Sequence, residues 1–556
     1  MMEYATLAAV YRSVEATQAD TEKTAALADL FRDAGDLLPV VVRLARGKVY
    51  PRYAATDLGV SSSLTQAAVE KATGVDANRI EEWWKETGDL GAAAERAVAE
   101  RTQRTLASTP LTVERVHDTL RELAEYEGAG SQERKVDAVA GLVSDADPAE
   151  ARFVVRTALG HLRIGVGDGT VRDALAAAFD VPVDAVERAH QLTNDVALVA
   201  ETARDEGEAG LHELDVELFR PAEAMLARAA DDLEAGLADV GTGDTAYLEV
   251  KYDGARVQLH KDGDDVRVFT RRMEDVTAQF PDAVEAIRAG VDTDRCILDG
   301  ELVGYDPDTG DPVAFQRFSK RIKRKYGVEE LAAEIPVTLH LFDCLHDGDS
   351  LLGEPLAARL DRLDALIDPI PGDIERARHL TPDGPDAAET FYREALSAGH
   401  EGVMCKNPEA AYTPGRRVDT MAKVKPTMEP LDLVVTRAKY SEGRRSEQLG
   451  RLYLACYDAD RDALREVGRL STGYTDEELA ALTERLEPLI RERDGRDVDL
   501  DPEVVLEAEY EEIQESTEYG SGYALRFPRF LGLREDLAPT DADTHERVER
   551  LYEEQR

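Results

Sequence analysis

Glu249-Val250-Lys251-Tyr252-Asp253-Gly254-Ala255-Arg256 reads as the end of a strand running into a glycine-containing turn. Its lysine stands out because the chain avoids lysine. Only 14 occur among 556 residues, against 53 arginines, with none between Lys135 and Lys251 and none after Lys439. An amine is nucleophilic only when deprotonated, and a nearby cation such as Arg256 favours that form. Taken alone, a Lys-x-Asp-Gly run reads as a surface turn; its surroundings change that reading.

Around this stretch the texture is that of short strands: Tyr247–Val250, Val257–His260, Val266–Phe269, Cys296–Val303 and Val337–Phe342. Helical stretches, Leu356–Leu366 and Ala387–Ala398, belong to the same region. In the last strand Val337, Leu339 and Leu341 share one face, and Thr338, His340 and Phe342 the other. One face can serve the core while the other offers Phe342 to a pocket.

On the N-terminal side, residues 1 to about 220 are rich in Ala, Leu, Glu and Arg at helical spacing. Val136, Val139, Leu142, Val143 and Val171, Ala174, Leu175, Ala178 are two such sets, which predicts an all-helical region. Within it, Leu162-Arg163-Ile164-Gly165-Val166-Gly167-Asp168-Gly169-Thr170-Val171 has no strand before it and no Gly-Lys-Ser/Thr after it. It therefore fails as a Walker loop or dinucleotide fingerprint, and reads as a glycine-rich turn between helices with backbone amides free to meet a phosphate. Residues 201–250 hold 14 acids and 3 bases, whereas 251–280 hold 6 of each. That shift marks a boundary, with Phe219-Arg220-Pro221 as the hinge. A further change follows Pro426-Thr427-Met428-Glu429-Pro430, after which strand-like Leu433–Thr436 and Leu452–Tyr457 open a small β-rich domain.

The net charge is −46, yet hydrophobic residues make up 43% of the chain and the acids are interspersed. Disorder would pair such charge with low hydrophobicity, so this is a folded, very acidic protein. Abundant carboxylates and scarce lysine suit solubility in concentrated salt. Cys296, Cys344, Cys405 and Cys456 form no C-x-x-C pair, which argues against a zinc module and for buried apolar roles. No apolar run approaches the ~18 residues of a membrane span, and Met-Met-Glu-Tyr does not begin a signal peptide. A cytoplasmic, monomeric protein with no membrane partner is expected.

Seven motifs follow in order: Lys251–Arg256; Phe269-Thr270-Arg271-Arg272-Met273-Glu274-Asp275-Val276-Thr277; Leu298-Asp299-Gly300-Glu301-Leu302-Val303; Leu341-Phe342-Asp343-Cys344-Leu345; Glu401-Gly402-Val403-Met404-Cys405-Lys406; Ala422-Lys423-Val424-Lys425; and Leu525 to Asp536. Each is weak singly. Together, with Leu162–Leu175 in the helical region, they closely resemble the archaeal and eukaryotic ATP-dependent DNA ligases of the nucleotidyltransferase superfamily, in particular a haloarchaeal member.

The resemblance implies a multidomain α+β chain. Residues 1–220 would form an all-helical DNA-binding domain, 221–428 a nucleotidyltransferase (ATP-grasp-like adenylation) α/β domain, and 429–556 an OB-fold β-barrel. It implies that the enzyme seals nicks in double-stranded DNA during replication, recombination and repair. Lys251 would attack the α-phosphorus of ATP and release pyrophosphate, AMP would pass to the 5′-phosphate of the nick, and the 3′-hydroxyl would displace it. Arg256 and Arg271 match positions contacting the nucleotide's sugar and phosphates, Glu301 the ribose acid, Phe342 the aromatic stacked on adenine, and Glu249 a position near that base. Lys423, Lys425 and Arg417 match phosphate contacts. Glu401 matches a carboxylate associated with divalent metal, which suits Mg²⁺. Arg526 and Arg529 match residues that orient pyrophosphate.

Two departures stand out: Met421 occupies a place that is commonly aromatic, and Leu537 one that is usually Lys. Against the acidic background, Phe315 to Gly327 holds Arg317, Lys320, Arg321, Lys323, Arg324 and Lys325 with no acid, which predicts a phosphate-contacting patch. Gln103-Arg104-Thr105-Leu106-Ala107-Ser108 resembles a sliding-clamp-binding peptide without its paired aromatics. The alternatives are an RNA ligase or capping-type nucleotidyltransferase, which the helical region disfavours, and a non-catalytic DNA-binding scaffold, which the intact Lys251, Glu301, Glu401, Lys423 and Lys425 disfavour. An NAD-dependent ligase would be expected to carry a four-cysteine zinc module.

Overall fold

A computed structural model describes residues 2–54, 56–101, 109–241, 246–324, 326–426, 428–441 and 445–555. The clamp-like peptide at 103–108, Lys325 and Thr427 lie outside them. Two compact units are formed, Met1–Val424 and Lys425–Arg556.

Among the described residues, every regular element from Tyr4–Ala16 to Gly207–Glu213 is helical. Local chemistry sets the helix ends. The helix Pro148–Ala158 begins with proline in its first turn and a reciprocal Asp147/Glu150 capping box, which satisfies amide donors the helix itself leaves open. Val139, Leu142 and Val143 are buried and Val136 partly so, and Val171, Ala174, Leu175 and Ala178 are all buried, as their spacing predicts. The glycine-rich segment is a turn between Pro148–Ala158 and Asp168–Phe179; Lys23 Nζ donates to the Gly165 carbonyl at 3.2 Å. The segment after these helices is stitched down. Phe219, at φ 68°, donates its N–H to His260 Nδ1 at 2.9 Å, and Asn194 Nδ2 donates to the Pro221 carbonyl at 2.5 Å.

Strands then follow: β1 Leu226–Ala230, β2 Tyr247–Lys251, β3 Ala255–Asp262, β4 Asp265–Thr270, β5 Arg295–Gly304, β6 Val337–Asp347, β7 Asp349–Ser350, β8 Ile374–Arg376, β9 His379–Leu380, β10 Gly402–Lys406 and β11 Arg417–Val424. One sheet has the order β1-β11-β10-β2-β9; the other runs β4-β3-β5-β6-β7, with β8 also on β6. Both alternate with period two. In the first sheet Leu248, Val250, Val403, Cys405, Ala422 and Val424 pack in one cluster with Leu233, Ala388 and Phe391 of flanking helices. In the second, Val257, Leu259, Leu298, Leu302, Leu339 and Leu341 pack with Ile287 and Leu363. Each sheet thus spends one face on core. The four cysteines are buried and free.

In the second unit a long strand, Leu431–Lys439, pairs along one edge with Arg451–Asp458. Its other edge is shared by Asp497–Leu500 and Val505–Glu509. One strand serving two partners on one edge bends the antiparallel sheet, and leucines and valines such as Leu433, Leu454 and Val467 fill its core. No helix among the described residues is long and apolar enough to cross a membrane.

Candidate active site

The faces left over from core packing gather the charged residues of the motifs. Cross-strand register aligns Glu249 of β2 with Met404 of β10, and Met404 with Lys423 of β11; Lys251 stands opposite Gly402 and Tyr247 opposite Lys406. Residues in register share a face, so Glu249, Lys251, Lys406 and Lys423 lie on one side of this sheet. In the second sheet Arg256 stands opposite Glu301, and Glu301 opposite His340. The β5–β6 register shifts between Asp299, paired with Asp343, and Gly300, paired with Leu341. Phe342 is the extra residue of that bulge; alternation already sets it off the Leu339–Leu341 core face, and the bulge brings Cys344 rather than Asp343 back to that face.

Contacts link the two faces. Lys406 Nζ lies 4.8 Å and the Arg256 guanidinium 5.4 Å from the Phe342 ring centre. Lys251 Nζ donates to Glu401 Oε2, and the Glu401 N–H donates to the Lys251 carbonyl at 2.9 Å. Glu249 is 2% exposed; Oε1 accepts from Lys406 Nζ at 2.5 Å, while Oε2 has no hydrogen-bond partner and the Arg376 guanidinium stays 3.8 Å away. A buried acceptor left open is costly unless something fills it. Burial pushes the Glu301 carboxyl up to about 8, against the opposing pull of Lys251 and Arg256. Next to Lys251 in the chain, Tyr252 stacks on His340 with ring centres 4.1 Å apart, and burial holds that histidine down at about 3.

Lys251, Glu249, Arg256, Glu301, Phe342 and Glu401 are therefore brought together, and Lys423 shares the face of Lys251. Arg271 is exposed in the turn after β4; its backbone N–H donates to the Arg256 carbonyl at 3.1 Å. Arg417 is exposed at the start of β11 and donates to the Ala227 carbonyl at 2.8 Å. Lys425 opens the second unit, with Nζ 3.9 Å from Glu511. Also in that unit, Arg526 donates to Glu512 at 3.1 Å, Arg529 lies 3.9 Å from Glu509, and Phe527 is 63% exposed. Met421 is buried with Leu192, Val216 and Ile297, so an apolar side chain fills its place, and Leu537 packs beside Val434 and Val505.

The basic patch needs a correction at Arg321. It is 1% exposed, donates to both Asp282 oxygens at 2.8 Å and to the Ile335 and Gln279 carbonyls, and lies over Phe280. Phe318 and Arg321, three apart on the helix Phe315–Ile322, both face inward, so periodicity takes Arg321 out of the patch. Lys320, Lys323 and Arg324 remain exposed, while Arg317 pairs with Asp306 at 3.3 Å. Conversely, Lys406, the last residue of the Glu401 motif, joins the site on Glu249 and beside Phe342, and the rarity of lysine is its signal in the sequence. Asp299, inside the third motif, and Tyr412, outside all seven, both bond to Arg256, a link that no spacing in the sequence signals. No group of three or more metal-ligating side chains occurs among the described residues.

Comparison with known proteins agrees along the whole chain. Residues 3–176 match the family described as "DNA ligase N terminus", 224–425 "ATP dependent DNA ligase domain", and 445–537 "ATP dependent DNA ligase C terminal region". A DNA ligase of Haloarcula marismortui is 47% identical over 564 residues, covering all of both chains. One from Natronomonas pharaonis is 47% identical over 99% of this chain and 100% of the relative, and one from Thermococcus fumicolans 44% over 99% and 98%. The solved structure described as "Pmar-Lig_Pre." covers 95% of this chain and 99% of its own, at TM-score 0.56 and 17% identity, and so shares the fold.

Proposed function

The chain belongs to the ATP-dependent DNA ligase family, and on that premise we propose that Lys251 is the residue that takes up AMP. Its substrates are ATP and nicked DNA. The observation that carries the assignment is the meeting, between two polar sheet faces, of Lys251 with Glu301, Arg256, Phe342 and a buried acceptor at Glu249 that has no hydrogen-bond partner. That set suits a nucleotide. Phe342 stacks on the base, and Glu249 Oε2 accepts from the exocyclic amine of adenine. Lys406, held on Oε1, donates to the neighbouring ring nitrogen. Guanine presents the opposite pattern there, an acceptor where adenine donates, so the pair favours ATP over GTP. Glu301 takes the ribose, with Arg256 and Arg271 on sugar and phosphates and Lys423, Lys425 and Arg417 on phosphate oxygens.

In the first step the Lys251 proton passes to Glu401 Oε2, the acceptor already bonded to Nζ. Nζ then forms a bond to the α-phosphorus as the bond to the bridging oxygen breaks, and pyrophosphate leaves with that electron pair. Alignment and charge neutralisation do most of the work. Mg²⁺ fits this donor set because it needs only one or two carboxylates beside the substrate phosphates. Glu401 would hold it, and the ion would supply charge neutralisation on those phosphates. Residues 1–220, 221–428 and 429–556 serve as helical DNA-binding, adenylation and OB-fold bodies acting in one cytoplasmic monomer. Contact with a sliding clamp through Gln103–Ser108 rests on that peptide's Gln and Leu alone.

Incubation with α-labelled ATP and Mg²⁺ in high salt is expected to yield a labelled covalent adduct that chases onto nicked DNA and is absent from Lys251→Ala. ATP should outperform GTP and NAD in the same assay. A wild type that forms no adduct at any salt concentration overturns the reading.

A further inference from the structure

Arg256 is held by a residue outside the seven motifs. Tyr412, 156 positions away in the chain, is 5% exposed, and its hydroxyl donates to Asp299 Oδ2 at 3.0 Å. The phenol oxygen of Tyr412 itself accepts from Arg256 Nη2 at 3.2 Å and from the Met225 N–H at 3.2 Å. A phenol offers little more than one donor and two acceptor sites, so its capacity is filled. Arg256 in turn donates to Asp299 Oδ2 and to the Met225 carbonyl, both at 2.7 Å, which leaves Nε without a hydrogen-bond partner in the protein.

The ring has little room to move. The Tyr412 N–H donates to the Leu352 carbonyl at 2.9 Å. Two residues earlier, the Ala410 carbonyl accepts from Arg359 at 3.1 Å. Arg359 is anchored on Asp343 at 2.7 Å, with its guanidinium 5.8 Å from the Tyr412 ring centre. Burial raises the phenol pKa further, so the hydroxyl stays protonated at any working pH.

We propose that Tyr412 is a positioning residue for the adenylation step: its hydroxyl, with Asp299, fixes the Arg256 guanidinium on the second sheet so that it meets ATP in one orientation. The proposal rests on the reading that Arg256 contacts the nucleotide. Lost orientation should weaken ATP binding in ground and transition states alike, which raises KM and spares kcat.

The test measures adduct formation against ATP concentration in the full-length protein, for wild type, Tyr412→Phe, Arg256→Ala and the double variant. Circular dichroism and melting are used to choose a temperature at which all are folded. Tyr412→Phe is expected to raise KM about tenfold with kcat changed less than twofold, the loss typical of a hydrogen bond to a charged group. It should add nothing in the Arg256→Ala background. Asp299→Asn, which weakens the other half of the grip, should raise KM in the same direction. A wild-type KM in Tyr412→Phe overturns the proposal. So does a fall in kcat alone, or an effect equally large without Arg256, since either means that the hydroxyl acts through the fold. If Arg256→Ala itself forms adduct as wild type does, the nucleotide role of Arg256 fails first and the Tyr412 proposal falls with it.

Discussion

At Glu301 two effects oppose each other: Lys251 and Arg256 favour the carboxylate, while burial favours the acid and is the larger, pushing the pKa up to about 8. Between pH 4.5 and 8 the unfolded chain has released this proton and the folded chain keeps it. The residue's contribution to stability therefore falls as pH rises through that window. Glu301→Gln is expected to stabilise the nucleotide-free protein by about 1–3 kcal/mol at pH 8 and by nothing near pH 4.5, measured by denaturant unfolding. An equal midpoint at pH 8 would mean that the carboxylate is ionised and compensated. Buried His260 and His340, both held down at about 3, act in the opposite sense: the unfolded chain binds their protons as pH falls below 6.5, and stability is lost toward acid. Lys251 and Glu301 were legible as residues because their motifs are local. The open oxygen of Glu249 was not, since a missing partner is a property of packing.

Strand periodicity predicted the elements flanking the site with small errors at their ends. β6 runs on to Asp347, past the end at Phe342 that its alternation suggests, because the bulge at Phe342 resets the alternation and returns Cys344 to the core face. β1, Leu-Ala-Arg-Ala-Ala, gave no strand signal, since alanine is a poor strand former and sheet pairing overrode its preference. The turn from β2 to β3 lies hard against β5: a Cβ at Gly254 would stand 2.3 Å from the Leu302 carbonyl oxygen and 3.0 Å from Glu301 Cγ. Gly254→Ala must push the Lys251 strand end away from Glu301. It should cost about 1–3 kcal/mol of stability and slow adduct formation at least about tenfold. Wild-type adduct formation in that variant would show that the turn has slack.

Over the whole molecule the charge of −46 argues at first against a nucleic-acid partner. Nine of the 14 lysines nevertheless lie between 251 and 439, where most of the family-like motifs are, so acid dominates the average while the candidate site keeps its cations. Binding built for concentrated salt must lean less on counterion release than usual. Nick binding is expected to persist at molar KCl, checked by mobility shift or anisotropy across a salt series; its loss there would count against salt adaptation. Taken by itself, the sequence determined the family, the order of helical, adenylation and β-rich regions, and the identity of the charged residues, because motif order and periodicity are local quantities. Which polar faces meet, that Arg321 turns inward while its neighbours do not, and that Tyr412 grips Arg256 from 156 residues away were decided only by tertiary structure. Periodicity assigns a residue to a face, but long-range packing alone determines what that face is pressed against.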